Sequence, residues 1–196
     1  MARVGEDLTR LDLCREELTG QRFEDCRLVG ADLSEAVLDR CVFERCDLSG
    51  ADLGSLVARG CAFLSCRFER TRLFAARFED CKLTGSTFQR AELPGLVIEG
   101  GDWSYVVMRG QDLRGLSLAG LRLAEADLSD ADLRTADLSG ADLRHARLRG
   151  AKLRGLDLRG AVLDGCDLLG VEWDGVRIDQ SQAVLLARSL GALVEG

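Results

Sequence analysis

The chain has an apolar residue at every fifth position over almost its whole length. From Leu8 to Ile178 this spacing covers 35 positions, and 34 of them are Leu, Phe, Ile, Met or Trp. Ala58 is the exception, and the phase never slips. A period of five fits neither an α-helix, with about 3.6 residues per turn, nor a strand, with a period of two. It predicts a chain that turns a corner every five residues and points these central side chains inward.

A second pattern lies two residues before each central position. The residue there is Ala, Cys, Val, Ser, Thr or Gly in 25 of the 35 cases, and six others are Leu. Small residues at this place indicate a second inward position in a narrow, closely packed interior. The remaining positions are rich in Asp, Arg, Ser and Gly, so we expect them to face water.

These patterns resemble the A(D/N)LXX motif of the pentapeptide-repeat family, most clearly in the stretch ADLSDADLRTADLSGADLRHARLRGAKLRG. The resemblance implies an all-β fold, a right-handed quadrilateral parallel β-helix with four pentapeptides in each coil. With strands about 4.8 Å apart, about nine coils would form a rod about 42 Å long. Residues 1–179 are predicted to form this β-helix, and residues 180–196 a C-terminal helix and tail.

The segment after Ile178 departs from the repeat and predicts a short helix. Asp179 or Ser181 can cap it, and Gly191 can end it. The helix is apolar on more sides than the end cap of a solenoid requires, which favours a dimer through this helix; a simple cap is the alternative. The residues expected at the dimer interface are Ala183, Val184, Leu186, Ala187 and Leu190.

The net charge of −7 disfavours direct binding to nucleic acid and suits a basic protein partner. No apolar run reaches the roughly 18 residues of a membrane helix, so no membrane span is expected. Residues 1–30 are charged throughout and show no signal sequence, and a cytoplasmic location is therefore expected.

Residues twenty apart should stack on one face of such a rod. On one face, the residues just before the central ones are acidic at seven of nine positions, against nine of 26 on the other three faces. Stacked like charges cost stability, so this series is a candidate partner-binding surface. The alternative is that Asp is simply common at this repeat position. The candidate residues are Asp12, Asp32, Asp52, Glu92, Asp112 and Asp132.

Seven of the eight cysteines occupy the small inward position, so we expect them to fill the core as free thiols. His145 is the only histidine and lies at an outward corner, without a second histidine to help it hold zinc. No nucleophile motif or nucleotide-binding loop is present. The chain is therefore predicted not to be an enzyme and to use no cofactor, metal or small-molecule substrate.

Within the family, three features are similar to the MfpA/Qnr-type proteins: the stretch GQDLRGLSLAGLRL, the terminal IDQSQAVLLARSLG, and Pro94 in AELPGLVI. The resemblance implies a DNA mimic that dimerises through its C-terminal helix, binds DNA gyrase in place of DNA and gives fluoroquinolone resistance. The unbroken phase leaves no room for the loops that interrupt Qnr rods. This favours gyrase inhibition, or protection against a natural gyrase poison, over strong drug rescue. A general protein-interaction scaffold unrelated to topoisomerases is the alternative.

Overall fold

The computed structural model describes residues 2–168, 170–189 and 191–194, and it confirms the predicted right-handed, four-sided solenoid. Residues twenty apart lie side by side in parallel, from Ala2 with Arg22 to Asp157 with Arg177. The strands of the described part are β1 Ala2–Val4, β2 Glu17–Thr19, β3 Arg22–Glu24, β4 Val37–Asp39, β5 Val42–Glu44, β6 Val57–Arg59, β7 Ala62–Leu64, β8 Arg77–Glu79 and β9 Val97–Glu99, and the helix α1 is Gln180–Ser189.

The strands form two parallel sheets on neighbouring faces, in the orders β1-β3-β5-β7 and β2-β4-β6-β8-β9. They cover the first five coils, and single-residue bridges continue the same pairing to residue 177. At twenty residues per coil, residues 2–177 make about nine coils. We name the faces by their inward residues: the first holds Leu8, the second Leu13, the third Leu18 and the fourth Phe23, each with every twentieth residue after it.

The corners of the solenoid require a left-handed backbone. Every fifth residue from Gly5 to Gly175 has a positive φ, between 49° and 76°. Glycine adopts this conformation without strain, which explains why it is so common two residues after the central position. Seventeen of these corners carry another residue, at a cost of roughly 1–2 kcal/mol each. Stacking of the coils must offset that cost.

The inward side chains form one continuous core. In the first half, the rings of Phe23, Phe43 and Phe63 stack with centroids 4.7 and 4.8 Å apart. The guanidinium of Arg3 lies 5.8 Å from the centroid of the Phe23 ring and covers this stack at the N-terminal end. From Leu113 to Leu168, Leu fills every central position and Ala seven of the twelve small positions, and nearly all of these side chains are buried.

The pairing of coils is interrupted in the middle of the rod on two faces. Arg72 pairs with Glu92 on the second face, but Glu92 does not pair with Asp112. On the third face Val97 does not pair with Ser117. Within the described part of the chain, no backbone hydrogen bond joins residues 91–100 to residues 111–119. We call this break the mid-rod gap.

Oversized residues at the small inward positions explain the gap. The small inward residues of one face, taken every twenty positions, form a column. In the column of the third face, leucines alternate with alanines until Leu96 and Leu116 follow each other directly. On the second face, Gln111 follows Ala91. The column on the third face reads Ala36, Leu56, Ala76, Leu96, Leu116, Ala136, Leu156 and Val176. Two large residues in succession do not fit between closely stacked coils, so the backbones separate.

The opposite side of the same coil is tightly packed. Gly101 has a φ of +101°, and a Cβ there would lie 2.0 Å from the carbonyl oxygen of Cys81. Pairing continues on the first and fourth faces, where Val107 lies beside Thr87 and Asp102 beside Lys82. The sixth coil is therefore close to the fifth on one side and separated from it on the other.

The inward register predicts how core and surface substitutions differ. Leu133→Ala or Leu138→Ala should lower the free energy of unfolding by about 2–5 kcal/mol through the cavity it leaves. Arg134→Ala removes only an exposed ion pair and should cost less than about 1 kcal/mol. Chemical denaturation of the three variants checks this, and equal losses would show that the register is wrong.

Close backbone contact predicts that Gly101 tolerates no side chain. Gly140 has a φ of +66° and open space around its Cα, so Gly140→Ala should cost only the roughly 1–2 kcal/mol of the left-handed conformation. Gly101→Ala adds the clash with Cys81 and should destabilise the protein clearly more. Thermal unfolding of both variants compares them directly, and similar midpoints would contradict the tight packing.

Candidate partner-binding surfaces

The predicted acidic series lies in register on the second face. Asp12, Asp32 and Asp52 occupy adjacent rungs, and so do Asp112 and Asp132. Glu92 stands apart from both groups, because Arg72 lies on one side of it and the mid-rod gap on the other. The structure thus divides the series into a group of three, a single glutamate and a pair.

Most aspartates of the repeat have a structural task. The Oδ1 atom of Asp12 accepts a hydrogen bond from the backbone N–H of Cys14 at 3.0 Å, and Asp32 does the same for Ser34 at 2.9 Å. This bond closes the corner as an Asx turn. It also forms at Asp7, Asp47, Asp52, Asp102, Asp112, Asp127, Asp132, Asp137, Asp142 and Asp157. The abundance of Asp at this position therefore has a cause that is independent of any partner.

Arginines neutralise half of the series. The ion pairs are Asp52 with Arg72 at 2.7 Å, Asp112 with Arg114 at 2.6 Å, and Asp132 with Arg134 at 2.6 Å. Hydrogen bonds from these arginines hold the pKa of Asp112 and of Asp132 below the usual value. The second half of this face consequently presents little net negative charge.

Two acidic residues of this face near the N-terminal end are not neutralised by arginine. Asp12 and Asp32 form no ion pair with any described residue. The Ser34 hydroxyl and N–H lower the pKa of Asp32, so that carboxylate stays charged. The first coil adds four further exposed acids, two on the first face and two on the third. We call this group the acidic tip: Glu6, Asp7, Asp12, Glu16 and Glu17.

Sequence reasoning placed the negative surface on one face, whereas the structure extends it around the first coil. Glu6 and Glu16 occupy small inward positions in the register, yet both side chains are exposed in the first coil that the structure describes. Polar residues at inward positions of the terminal coil were the available signal for this feature, since the end of a solenoid needs a polar outer surface.

The C-terminal helix α1 is fixed to the rod by a reciprocal cap. Asp179 accepts from the N–H of Gln182 at 3.0 Å, and the Gln182 side chain accepts from the N–H of Asp179 at 2.9 Å. The amide of Gln182, only 4% exposed, also donates to the carbonyls of Leu158 and Ala161. Hydrogen bonds from Ser181, Gln182 and neighbouring backbone lower the pKa of Asp179 to about 2. Gln182 thus closes this end of the rod, a role that its spacing from Asp179 could have indicated.

An apolar cleft of about 610 Å³ lies between α1 and the last coil. Trp173 and Ile178 at its floor are only partly buried, and Leu185 is the helix residue that packs on the core. We call it the C-terminal cleft, and its apolar lining is Leu163, Cys166, Leu168, Trp173, Val176, Ile178, Leu185 and Leu186.

The predicted dimer residues lie partly at this cleft. Val184, Leu186 and Ala187 are half-buried, and Ala183 is exposed. Leu190 lies outside the described residues. Sequence reasoning missed Leu185, because a helix that is apolar all round does not show which side meets the rod.

The cysteines fill small inward positions, as predicted. Six are buried, Cys166 and Cys14 are half-buried, and all eight are free thiols. Burial raises the pKa of Cys166 to about 12, so its thiol is neutral at ordinary pH. The described residues contain no group of three His, Cys, Asp or Glu side chains that could hold a metal ion. The absence of a cofactor stays a prediction, and so does the absence of catalysis.

The fold and these surfaces define a repeat solenoid whose candidate sites are an exposed acidic surface at one end and an apolar cleft at the other. A family model described as a pentapeptide repeat region matches residues 16–98, and a model of pentapeptide repeats in eight copies matches residues 104–140 and 141–172. The chain belongs to the pentapeptide-repeat family. In its described part, no helix is long and apolar enough to cross a membrane.

Solved structures add whole-length similarities. A trypsin-treated variant of QnrB1, a plasmid-mediated fluoroquinolone resistance protein, matches with 26% identity and a TM-score of 0.76, over 99% of this chain and 98% of that chain. Full-length QnrB1 matches with 24% identity and a TM-score of 0.63, over 97% of each chain. HetL of the cyanobacterium Nostoc sp. strain PCC 7120, involved in heterocyst differentiation regulation, matches with 28% identity and a TM-score of 0.49, over 90% and 86%. No curated protein sequence matches the chain.

Proposed function

We propose that this protein is a DNA mimic that binds DNA gyrase and modulates or inhibits it, with resistance to fluoroquinolones or to a natural gyrase poison as the result. The observation that carries the proposal is the similarity to a fluoroquinolone resistance protein over nearly the full length of both chains. The MfpA/Qnr-like sequence features supply gyrase as the partner. The cytoplasm, expected from the sequence of residues 1–30, is the proposed place of action. The role is binding, not catalysis.

The net charge of this chain is too small to imitate the charge of a DNA duplex of the same length. Duplex DNA carries one charge per about 1.7 Å, so a length of about 42 Å carries about 25. This chain has a net charge of −7. The resemblance to DNA must therefore rest on the shape of the rod and on where its unpaired carboxylates lie.

The acidic tip and Asp32 are the part of the rod best suited to a basic partner. Their carboxylates are concentrated in the first two coils, whereas farther along the second face Asp52, Asp112 and Asp132 are bound to arginine. Exposed charges act over roughly 8–10 Å at physiological salt, so neighbouring carboxylates of the tip add up while distant ones do not. The basic DNA-binding surface of gyrase fits such an end.

A second copy of the chain is the occupant we propose for the C-terminal cleft. The half-buried Val184, Leu186 and Ala187 continue the apolar surface of the cleft along α1. A dimer formed there would bury this surface and leave both acidic tips pointing outward, because the tips lie at the opposite ends of the two rods.

The dimer can be tested at Leu186. Leu186→Glu places a charge in the apolar surface and should yield monomers whose solenoid stays folded. Val4→Glu, at an exposed apolar residue of the opposite end, is the matched control and should remain dimeric. Sedimentation equilibrium measures both, with circular dichroism to check folding. A dimer of the Leu186→Glu variant would place the interface elsewhere.

The gyrase proposal is tested by removing charge without removing the corner hydrogen bonds. Asn keeps the Oδ1 acceptor of Asp, so Asp12→Asn with Asp32→Asn preserves both Asx turns. Exposed ion pairs contribute about 0.2–1 kcal/mol each, so this double variant should inhibit gyrase supercoiling about 2- to 30-fold less well than the wild type. Inhibition by the wild type should also weaken as salt is added.

The matched control is Asp127→Asn with Asp137→Asn. These two aspartates also cap corners, at Ser129 and Ser139, form no ion pair with a described residue, and lie in the second half of the rod. This control should inhibit like the wild type. Equal loss in both double variants would make the acidic tip incidental, and a wild-type protein without effect on supercoiling would favour a general interaction scaffold.

A further inference from the structure

The mid-rod gap leaves two coil edges with unused backbone groups. In intact coils the central N–H donates to the carbonyl nineteen residues on, as Leu73 does to Glu92 at 2.8 Å. Leu93 and Ile98 make no such bond, and the N–H groups of Asp112 and Ser117 do not donate to the coil before them. Unpaired strand edges of this kind are templates for another extended chain.

The gap opens to the surface on the second face. A cavity of about 770 Å³ lies there, between Leu93, Pro94 and Gly95 on one side and Asp112 and Arg114 on the other. Its size falls within the range of about 300–1,000 Å³ that is typical of ligand sites.

Pro94 leaves the carboxylate beside this cavity free. At other corners of the second face, the N–H at the equivalent position is bound by the Asp two residues earlier, as Gly54 is by Asp52. Pro94 has no N–H, and the residue before the central position here is Glu92. Glu92 is exposed and forms no ion pair with a described residue, since Arg72 is bound to Asp52.

Two further side chains belong to residues next to those that line the cavity. The ring of Phe74, one coil before Pro94 in the same column, is 63% exposed. The amide of Gln111 is part of a side chain only 5% exposed, yet it forms no hydrogen bond with a described residue. Unpaired backbone groups at the coil edges cost stability, which is expected where a sequence serves binding.

We propose that the mid-rod gap binds an extended segment of a partner protein. The segment pairs with the open coil edges by backbone hydrogen bonds. It places one basic side chain against Glu92 and one apolar side chain against Phe74. Backbone pairing supplies affinity and the two side-chain contacts supply selectivity, as in other cases of strand addition. This inference is independent of gyrase binding, which rests on the acidic tip.

The test uses the blocked peptide acetyl-Thr-Val-Arg-Val-Arg-Val-Thr-amide as the probe. Its addition to the full chain should slow hydrogen exchange at the amides of Leu93, Ile98, Asp112 and Ser117, measured by NMR. Replacing Gln111 and Leu116 together by Ala lets the coils approach, and should weaken peptide binding about tenfold. Leu156→Ala, in the same column where pairing is intact, is the matched control and should bind the peptide like the wild type.

A second variant keeps the test decisive if the doubly substituted protein does not fold. Glu92→Gln should bind the arginine peptide several-fold more weakly, while its binding of a peptide with Thr in place of both Arg should equal that of the wild type. Absence of exchange protection in the wild type, or equal binding of the arginine peptide by Glu92→Gln, would overturn the proposal. Neither result would affect the outcome of the supercoiling assay.

Discussion

The narrow square interior is the constraint on which the rest of this structure depends. Each face offers room for one large and one small side chain, and a large residue at a small position is tolerated where the coils beside it carry small ones. The alternation of Ala36, Leu56 and Ala76 in one column shows how a leucine is accommodated at a small position. When Leu96 and Leu116 meet, the same rule separates the coils, and Gly101 takes up the compensating close approach on the other side.

The outward aspartates both close the corners of the coils and present negative charge to solvent. The amino-acid composition of a face does not show which of these two roles an aspartate has. A carboxylate that closes a corner uses one oxygen for the backbone and still presents its charge to solvent. A count of acids along a face therefore says little about partners. What distinguishes Asp12 and Asp32 from Asp112 and Asp132 is the arginine two residues on, which neutralises the second pair. The proposed partner-binding surface is therefore defined by the absence of neighbouring arginines as much as by the carboxylates themselves.

The five-residue period was sufficient to predict the fold, the inward residues and the place of the cysteines, because each depends only on local register. The stacking of residues twenty apart was predicted, but several contacts that this stacking creates between coils were not. The mid-rod gap could be predicted only by comparing Leu96 with Leu116, which are twenty residues apart. The ion pair of Asp52 with Arg72 joins residues at the same spacing. The role of Gln182 depends on carbonyls of Leu158 and Ala161 that only the assembled end of the rod brings to it.

The stacked coils hold the acidic tip and the mid-rod gap at a fixed separation. This separation determines whether both proposed partners can bind one chain at the same time. The acidic tip lies in the first coil and the mid-rod gap follows the fifth, so about five coil spacings of about 4.8 Å, roughly 24 Å, lie between them. That exceeds the range of about 8–10 Å over which exposed charges act at physiological salt. A basic partner at the tip therefore leaves the charge of Glu92 unscreened, and both sites can be occupied on one chain unless the partner at the tip is large enough to cover the gap.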